Sequence, residues 1–300
     1  MDKLNRLTVI IPAFNEVQSL TTLLPEMIEY CRTHHWDLII VNDGSTDGTK
    51  EFLDKVWPEE HLSILHHKLN KGYGAALKSG FSACSTEYAI TFDADGQHAI
   101  DDIDRLFGVL VKHDADMVVG SRKGSKDKSS YRGLGKTFIR LLARILMTVP
   151  IQDLNSGMKI YNTGLVKKYL HLAPDTMAFS DVITLVFINN RHLVMEEPIQ
   201  VRERKSGNST IGLQTAFQTI MEILHIVILF NPMKIFLPLS LVCLIFTTLW
   251  GIPLLVAGRG LSVGSMLGAM LGILLFLLGL ITEQLSQIRK NSIPPFEPRE

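Results

Sequence analysis

Short runs of apolar residues alternate with helix-like segments over the first two-thirds of the chain. The apolar runs predict strands at residues 7–11, 37–41, 63–66, 88–92 and 116–120. A helix is predicted between the first two strands, over residues 19–33, with start signals at Asn15 and Ser19. Strands that alternate with helices predict an α/β fold with an open, mostly parallel sheet.

Polar motifs directly follow three of these strands. PAFNE (12–16) follows the first, NDGSTDGT (42–49) the second, and DADGQH (93–98) the fourth. In open α/β sheets, ligands bind at the carboxyl ends of the strands. The motifs are therefore expected to share one ligand-binding edge.

Two long uncharged segments lie in the last third of the chain, at residues 235–257 and 261–282. Each reaches the ~20 apolar residues that a helix needs to cross a bilayer, and the short glycine-rich break between them fits a hairpin turn. A pair of buried helices in a soluble core is the alternative, although two such runs seldom follow one another in a soluble fold. Lys234 before the first segment, with Arg289 and Lys290 after the second, predicts that both ends face the cytoplasm.

These patterns divide the chain into four regions. Residues 1–212 are predicted to form a soluble α/β domain on the cytoplasmic side, because the N-terminus lacks the apolar core of a signal peptide. Residues 213–232 show helical spacing that fits an amphipathic helix at the membrane interface, or alternatively an ordinary core helix. Residues 233–290 hold the two membrane helices, and residues 291–300 form a cytoplasmic tail.

The charge balance argues against nucleic acid as the main partner. Thirty basic and 30 acidic residues among 300 give a net charge of zero. Cys31, Cys84 and Cys243 lack paired spacing, and we expect buried, reduced thiols. The histidine pairs at 34–35 and 66–67 are interpreted as surface or packing residues without ligand geometry.

Asp93 and Asp95 carry the main chemical signal. Two carboxylates one residue apart at a strand end can converge on Mg²⁺ or Mn²⁺, which prefer oxygen ligands and share them with substrate phosphates. An isolated Asp-x-Asp is often only a solvated turn. Here it accompanies Asp43, which can accept an N–H of a nucleobase, and a glycine-containing helix start at 70–76 that favours a phosphate.

The motif series PAFNE, DGSTDGT, NKGYGAALKSG, DADGQH, SGMKIY and RKSGNST is similar to that of family 2 glycosyltransferases with the GT-A fold. Over residues 7–210, the closer resemblance is to the polyprenyl- or dolichyl-phosphate mannose and glucose synthases, which commonly carry a two-helix anchor. It implies a Rossmann-like mixed, mostly parallel sheet flanked by helices. It also implies a metal-dependent, inverting transfer of a hexose from a GDP- or UDP-sugar to a polyprenyl phosphate at the cytoplasmic membrane face.

The resemblance also implies roles for individual residues. Donor binding is expected from Pro12, Ala13, Phe14, Glu16, Asp43, Lys71, Gly72, Asp93, Ala94 and Asp95. Mg²⁺ or Mn²⁺ is expected on Asp93, Asp95 and Gln97. Contacts with the acceptor phosphate or the donor diphosphate are expected from Arg122, Arg132 and Arg204, since guanidinium groups bind phosphate bidentately. Asp93, Asp95 and Asp181 are the candidate catalytic residues, with Asp181 as a candidate base.

The chain departs from the family pattern at some positions. Asn42 replaces the first member of a frequent acidic pair, and Thr210 stands where a lysine commonly ends the last motif. The Gln-x-x-Arg-Trp motif of processive relatives is absent.

Two other functions stay open: a related transferase with a hydroxyl acceptor, which would need Asp181 as base, and a non-catalytic membrane scaffold. A homo-oligomer also stays open.

Overall fold

The computed structural model describes residues 7–56, 61–122, 151, 153–154, 156–200, 228 and 231–291. These residues fall into two compact units, one from residues 7–122 and 151–200 and the other from residue 228 and residues 231–291. The predicted interfacial helix at 213–232 and the C-terminal tail lie almost entirely outside the described residues, as do Arg132, Arg204 and Thr210.

The first unit alternates strands and helices as the apolar pattern predicts. Its elements are β1 (Leu7–Ala13), α1 (Val17–His34), β2 (Asp37–Asn42), α2 (Thr49–Val56), β3 (Leu62–His66), α3 (Tyr73–Ala83), β4 (Tyr88–Thr91), α4 (Asp102–His113), β5 (Met117–Ser121), β6 (Lys159–Asn162), α5 (Thr163–Tyr169), α6 (Phe179–Asn189) and β7 (Val194–Pro198). The five predicted strands correspond to β1–β5, whereas the sequence did not predict β6 and β7.

The strands form one mixed sheet in the order β3-β2-β1-β4-β6-β5-β7. β1 pairs in parallel with β2 and β4, β2 with β3, and β5 with β7, while β6 runs antiparallel to both of its neighbours. The expected mostly parallel sheet is confirmed. Since β1, β2 and β4 run in one direction, their carboxyl ends meet at one edge.

The core lies on both faces of this sheet. Every residue of β1 is buried, as expected for a strand covered by helices on both sides. At Gly80, an added Cβ would lie 2.4 Å from Cγ2 of Ile10, so α3 rests directly on β1. The apolar helix α6 is also mostly buried. This close packing fixes the N-terminal ends of α3 and α6 relative to the sheet.

The second unit contains two long apolar helices, α7 (Met233–Val256) and α8 (Val263–Asn291). Both are long and apolar enough to cross a membrane, and only 11% and 17% of their most apolar windows are buried within the structure. Such low burial argues against the alternative of helices inside a soluble core. Gly258 and Gly260 have φ values of +71° and +74° in the turn that was predicted between them.

The helices of this hairpin pack closely through small residues. The Ser240 hydroxyl donates a 2.8 Å hydrogen bond to the Gly272 carbonyl of the opposite helix. A Cβ at Gly272 would lie 2.7 Å from Cγ of Leu244. Small residues that let backbones approach are typical of helix pairs in membranes.

Of the three cysteines, Cys31 and Cys84 are buried and Cys243 in α7 is partly buried, and all are free thiols. Burial raises the pKa of Cys31 to about 12, which leaves its thiol protonated and unreactive at neutral pH.

Candidate active site

The polar motifs after β1 and β2 are hydrogen-bonded to each other. The Asp43 backbone N–H donates to the Ala13 carbonyl at 2.8 Å, which continues the pairing of β1 with β2 beyond the strand ends. Asn15, with φ of +56°, accepts the backbone N–H of Thr46 at 2.8 Å and donates its own to the Ser45 hydroxyl at 2.9 Å. The two predicted donor-binding motifs therefore form one surface.

The donor residues expected on this surface differ in exposure. Pro12 and Ala13 are buried at the end of β1, and Glu16 accepts a 2.8 Å hydrogen bond from the Ser19 hydroxyl. Phe14 leaves 45% of its surface exposed, although it follows a fully buried strand. An exposed ring beside polar loops is available to pack against a planar ligand.

Asp43 organises the loop that leads into α3. Its carboxylate accepts the backbone N–H of Lys71 at 2.9 Å on Oδ1 and that of Gly72 at 2.8 Å on Oδ2. Gly72 has φ of +101°, and a Cβ there would lie 2.4 Å from the Asp175 carbonyl oxygen, so only glycine fits. Three residues predicted to bind the donor, Asp43, Lys71 and Gly72, are thus brought into direct contact.

The histidines at 66 and 67 belong to this edge. Asn42 and His66 are partners in the β2–β3 register, and Asn42 Nδ2 lies 3.0 Å from His66 Nδ1. His67 Nδ1 lies 2.6 Å from Asp43 Oδ1, and its Nε2 lies 2.8 Å from the Ser79 hydroxyl of α3. His67 is thus a packing residue whose side chain is 8% exposed, and the sequence interpretation did not foresee that it would be a polar partner of Asp43.

Asp93 follows β4 at the same edge and is held from two sides. Its Oδ1 accepts a 2.9 Å hydrogen bond from the Tyr73 hydroxyl at the start of α3, and its Oδ2 lies 3.6 Å from His98 Nε2. Burial raises the pKa of Tyr73, and the charge of Asp93 adds to this effect, so the phenol stays protonated and donates. A Cβ at Gly157 would lie 1.9 Å from Asp93 Oδ2, so this glycine makes room for the carboxylate.

Asp95 lies in the turn that follows. Its Oδ1 accepts the backbone N–H of Gln97 at 3.1 Å, and Gly96 between them has φ of +71°. Ala94 is buried. Among the described residues, no group of three or more His, Cys, Asp or Glu side chains is arranged to hold a metal. The predicted trio of Asp93, Asp95 and Gln97 thus offers two carboxylates, a donor set that suits a hard cation sharing its ligands with substrate phosphates.

Lys159 on β6 is completely buried behind this edge. Its ammonium donates to the carbonyls of Leu154 and Ser180 at 2.6 and 2.9 Å and to the Thr184 hydroxyl at 2.9 Å. Desolvation lowers the pKa of Lys159 to about 8, although Asp181, Asp153 and Asp93 raise it in part. Asp181, the candidate base, lies in the first turn of α6, and its charge is the largest of those that raise the pKa of Lys159.

Arg122, the described member of the three predicted phosphate-binding arginines, is paired with Asp153. Its Nε and Nη2 donate to the two carboxylate oxygens of Asp153 at 2.8 Å each, and its backbone N–H adds a third bond at 3.0 Å. Burial acts to raise the pKa of Asp153, but these hydrogen bonds and the charge of Arg122 outweigh it and lower the pKa. The guanidinium face that suits a phosphate is occupied by a carboxylate.

The sequence reasoning missed His67, Tyr73, Asp153 and Lys159. The β2–β3 register offered a signal for His67, because Asn42–Asp43 and His66–His67 end neighbouring strands. The other contacts join residues far apart in the chain, and no local pattern reveals them.

The chain is similar to known families and proteins. It matches Glycosyl transferase family 2 over residues 8–170 and the GtrB C-terminal hairpin over residues 231–288. It is 27% identical over 226 residues to dodecaprenyl-phosphate galacturonate synthase of Rhizobium johnstonii, covering 73% of this chain and 66%, just under two thirds, of that protein. It is 32% identical over 219 residues to polyprenol monophosphomannose synthase of Mycolicibacterium smegmatis, covering 69% and 81%.

Among solved structures, the chain is similar to glucosyl-3-phosphoglycerate synthase from Mycobacterium tuberculosis in complex with Mn²⁺, uridine diphosphate and phosphoglyceric acid. The TM-score is 0.58 at 17% identity, over 74% of this chain and 78% of that one. At this identity the likeness shows the fold alone.

Proposed function

We propose, since the chain belongs to glycosyl transferase family 2, that it transfers a hexose from a nucleotide-sugar to a polyprenyl phosphate with inversion. The observation that carries the proposal is the meeting of Asp43 and Asp93 at one sheet edge, in a chain that also holds an apolar helical hairpin. Relatives that join sugars to polyprenyl phosphates support the same acceptor class.

The donor would lie across the ends of β1, β2 and β4. The exposed ring of Phe14 and the carboxylate of Asp43 would bind the nucleoside. The diphosphate would approach the N-terminal end of α3 beside Lys71, where the lysine charge and the helix dipole favour negative charge. The N–H groups of Gly74 and Ala75 are already bonded to the Asp175 carbonyl. Tyr73 keeps the Asp93 carboxylate at this end of the helix through its 2.9 Å hydrogen bond.

Asp93, Asp95 and Gln97 would hold Mg²⁺ or Mn²⁺. When bound, the cation supplies positive charge against the negative charge that grows on the departing nucleoside diphosphate. The two carboxylates alone leave room for phosphate oxygens as further ligands, which is the usual arrangement for Mg²⁺.

The acceptor phosphate needs positioning more than deprotonation. A phosphate monoester has a second pKa of about 6, so it is already a nucleophilic dianion at neutral pH. Arg122, with Arg132 and Arg204, is proposed to place it in line with the anomeric carbon. Arg122 would exchange its bonds to Asp153 for bonds to the phosphate. A single displacement of this kind inverts the configuration at that carbon.

The hairpin would keep the site beside a carrier that stays in the bilayer. The positive residues at 234, 289 and 290 support a cytoplasmic location for the catalytic domain and both ends of the hairpin. Labelling of single cysteines at 234 and 259 in intact cells tests this, because only position 259 should react from outside.

A hydroxyl acceptor is the second candidate. The placement of Asp181 in the first turn of α6, where its charge acts on the buried Lys159, favours it as the residue that would take the proton of a hydroxyl acceptor. Asp181→Asn separates the two: it should spare transfer to a polyprenyl phosphate, which needs no base, and abolish transfer to a hydroxyl.

The direct test uses membranes containing the protein, polyprenyl phosphate and a panel of radiolabelled UDP- and GDP-sugars. A lipid-soluble product is expected in the presence of Mg²⁺ or Mn²⁺ and should be absent with Asp95→Asn. Failure of the purified protein to bind any nucleotide-sugar would instead favour the scaffold role.

A further inference from the structure

The bonding of Asp43 limits the hydrogen bonds that it can offer a ligand. Oδ1 lies within hydrogen-bond distance of His67 Nδ1 and the Lys71 N–H, and Oδ2 accepts from the Gly72 N–H. A carboxylate has about four lone-pair sites, two on each oxygen. Because a carboxylate only accepts, His67 Nδ1 must carry the proton, and the three protein donors leave a single site, on Oδ2.

His67 makes this limit a fixed property of the site. Its side chain is 8% exposed, and that of Asp43 is 3% exposed. Its second ring nitrogen bonds to the Ser79 hydroxyl on α3, so the ring is held at both ends. Turning it away from Oδ1 would leave buried polar atoms without partners, which is costly.

Nucleobases differ in the donors that their edges present. Uracil has one ring N–H between two carbonyls, whereas guanine has a ring N–H beside an amino group, and these two donors together match both oxygens of a carboxylate. With Oδ1 saturated, Asp43 can accept the single donor of uracil. Guanine would keep one donor unpaired in a buried place, and a site discriminates strongly against such a mismatch.

We propose that His67 is a specificity-determining residue and that the donor is a uridine-type nucleotide-sugar rather than a guanosine one. This inference rests on the proposed function, because it assigns the nucleobase contact to Asp43. The motif pattern leaves both GDP- and UDP-sugars open as donors, and this inference selects the UDP-sugars.

Calorimetric titration of the purified full chain with UDP, GDP and N3-methyl-UDP tests the inference. UDP is expected to bind at least tenfold more tightly than both other nucleotides, because the methyl group removes the ring N–H and guanine presents two donors. Equal affinity for UDP and N3-methyl-UDP, or GDP binding as tightly as UDP, overturns the inference and leaves the proposed function standing. If no nucleotide binds, both fall together.

Variants of the tandem histidines isolate the role of His67. His67→Leu frees a lone pair on Oδ1 and should reduce the preference for UDP over GDP severalfold. His67→Asn offers an N–H in place of Nδ1–H and should restore the preference. His66→Leu is the matched control, because His66 bonds to Asn42 and Asp54 instead, and the preference should not change. A preference unchanged in His67→Leu contradicts the assignment, and if that variant does not fold, the N3-methyl comparison in the unaltered protein decides.

Discussion

Gly157→Ala should disable the enzyme by displacing one carboxylate. The added Cβ would lie 1.9 Å from Asp93 Oδ2 and 2.6 Å from its Cγ, and ordinary contact begins only at 3.4 Å. The carboxylate oxygen must therefore move by about 1.5 Å, the difference between 3.4 Å and 1.9 Å. It would move away from the Tyr73 hydroxyl and from any cation shared with the diphosphate. A misplacement of about 1 Å can cost ~100-fold in rate, which corresponds to about 2.7 kcal/mol in the activation barrier.

The assay is transfer of radiolabelled sugar to polyprenyl phosphate, measured as kcat beside the thermal unfolding of each variant. The Asp93 side chain is 27% exposed. It can therefore move toward solvent without displacing the core, and we expect the fold to persist. Gly108→Ala on α4 is the control, because a Cβ there meets nothing within 4 Å. It should keep full activity and gain about 0.5–1 kcal/mol of stability from the better helix former. Normal kcat in Gly157→Ala would refute a catalytic role for the position of Asp93.

Three further predictions concern charge and packing. Asp153→Asn should strengthen inhibition by inorganic pyrophosphate, because Arg122 loses its neutralising partner; unchanged inhibition would argue against phosphate binding by Arg122. Lys159→Met removes a cation whose folded pKa of about 8 lies below its ordinary value of 10.5. The unfolded chain keeps this proton up to its ordinary pKa of 10.5, so between pH 8 and 10.5 the wild type should gain stability relative to the variant by about 1.4 kcal/mol per pH unit. The measurement is unfolding temperature against pH, and a constant difference would contradict the buried charge. Gly272→Ala should destabilise the hairpin in detergent by about 1–3 kcal/mol through overpacking. Gly264→Ala is the control and should leave stability unchanged, because its added Cβ has its nearest neighbour at 3.8 Å. Equal unfolding temperatures for the two variants would exclude close contact between the helices at Gly272.

The sequence predicted the parts of the fold that depend on local patterns. The runs that became β1, β2 and β4 are apolar on both faces, and polar motifs follow each of them, so both the strands and their shared edge could be inferred. β6 could not, because it has only four residues and begins with a lysine. A charged residue normally indicates the surface, and its burial becomes understandable only when three acceptors from other segments surround it.

The candidate site was predicted as a set of residue types and less well as a set of contacts. Asp43 was expected to accept an N–H of a nucleobase, and the structure shows in addition that three protein groups lie within hydrogen-bond distance of its carboxylate. Tyr73 and Asp93 are 20 positions apart, and their hydrogen bond exists because α3 starts beside the end of β4. Such pairings follow from the crossing of elements, which no local period in the sequence encodes.

The charges around Lys159 explain why the edge is suited to a cation and a diphosphate together. Asp93, Asp153 and Asp181 all act on this buried ammonium, and Arg122 opposes them from the side of Asp153. The ammonium donates hydrogen bonds to two carbonyls and a hydroxyl, and the three carboxylates act on it through their charge. Asp95, two residues after Asp93, adds a further negative charge, and an anionic donor arriving alone would meet net repulsion. A divalent cation bound together with the donor would offset that repulsion. The carboxylates would thus favour a metal-bound donor, while Lys159 offsets part of their negative charge before a donor binds.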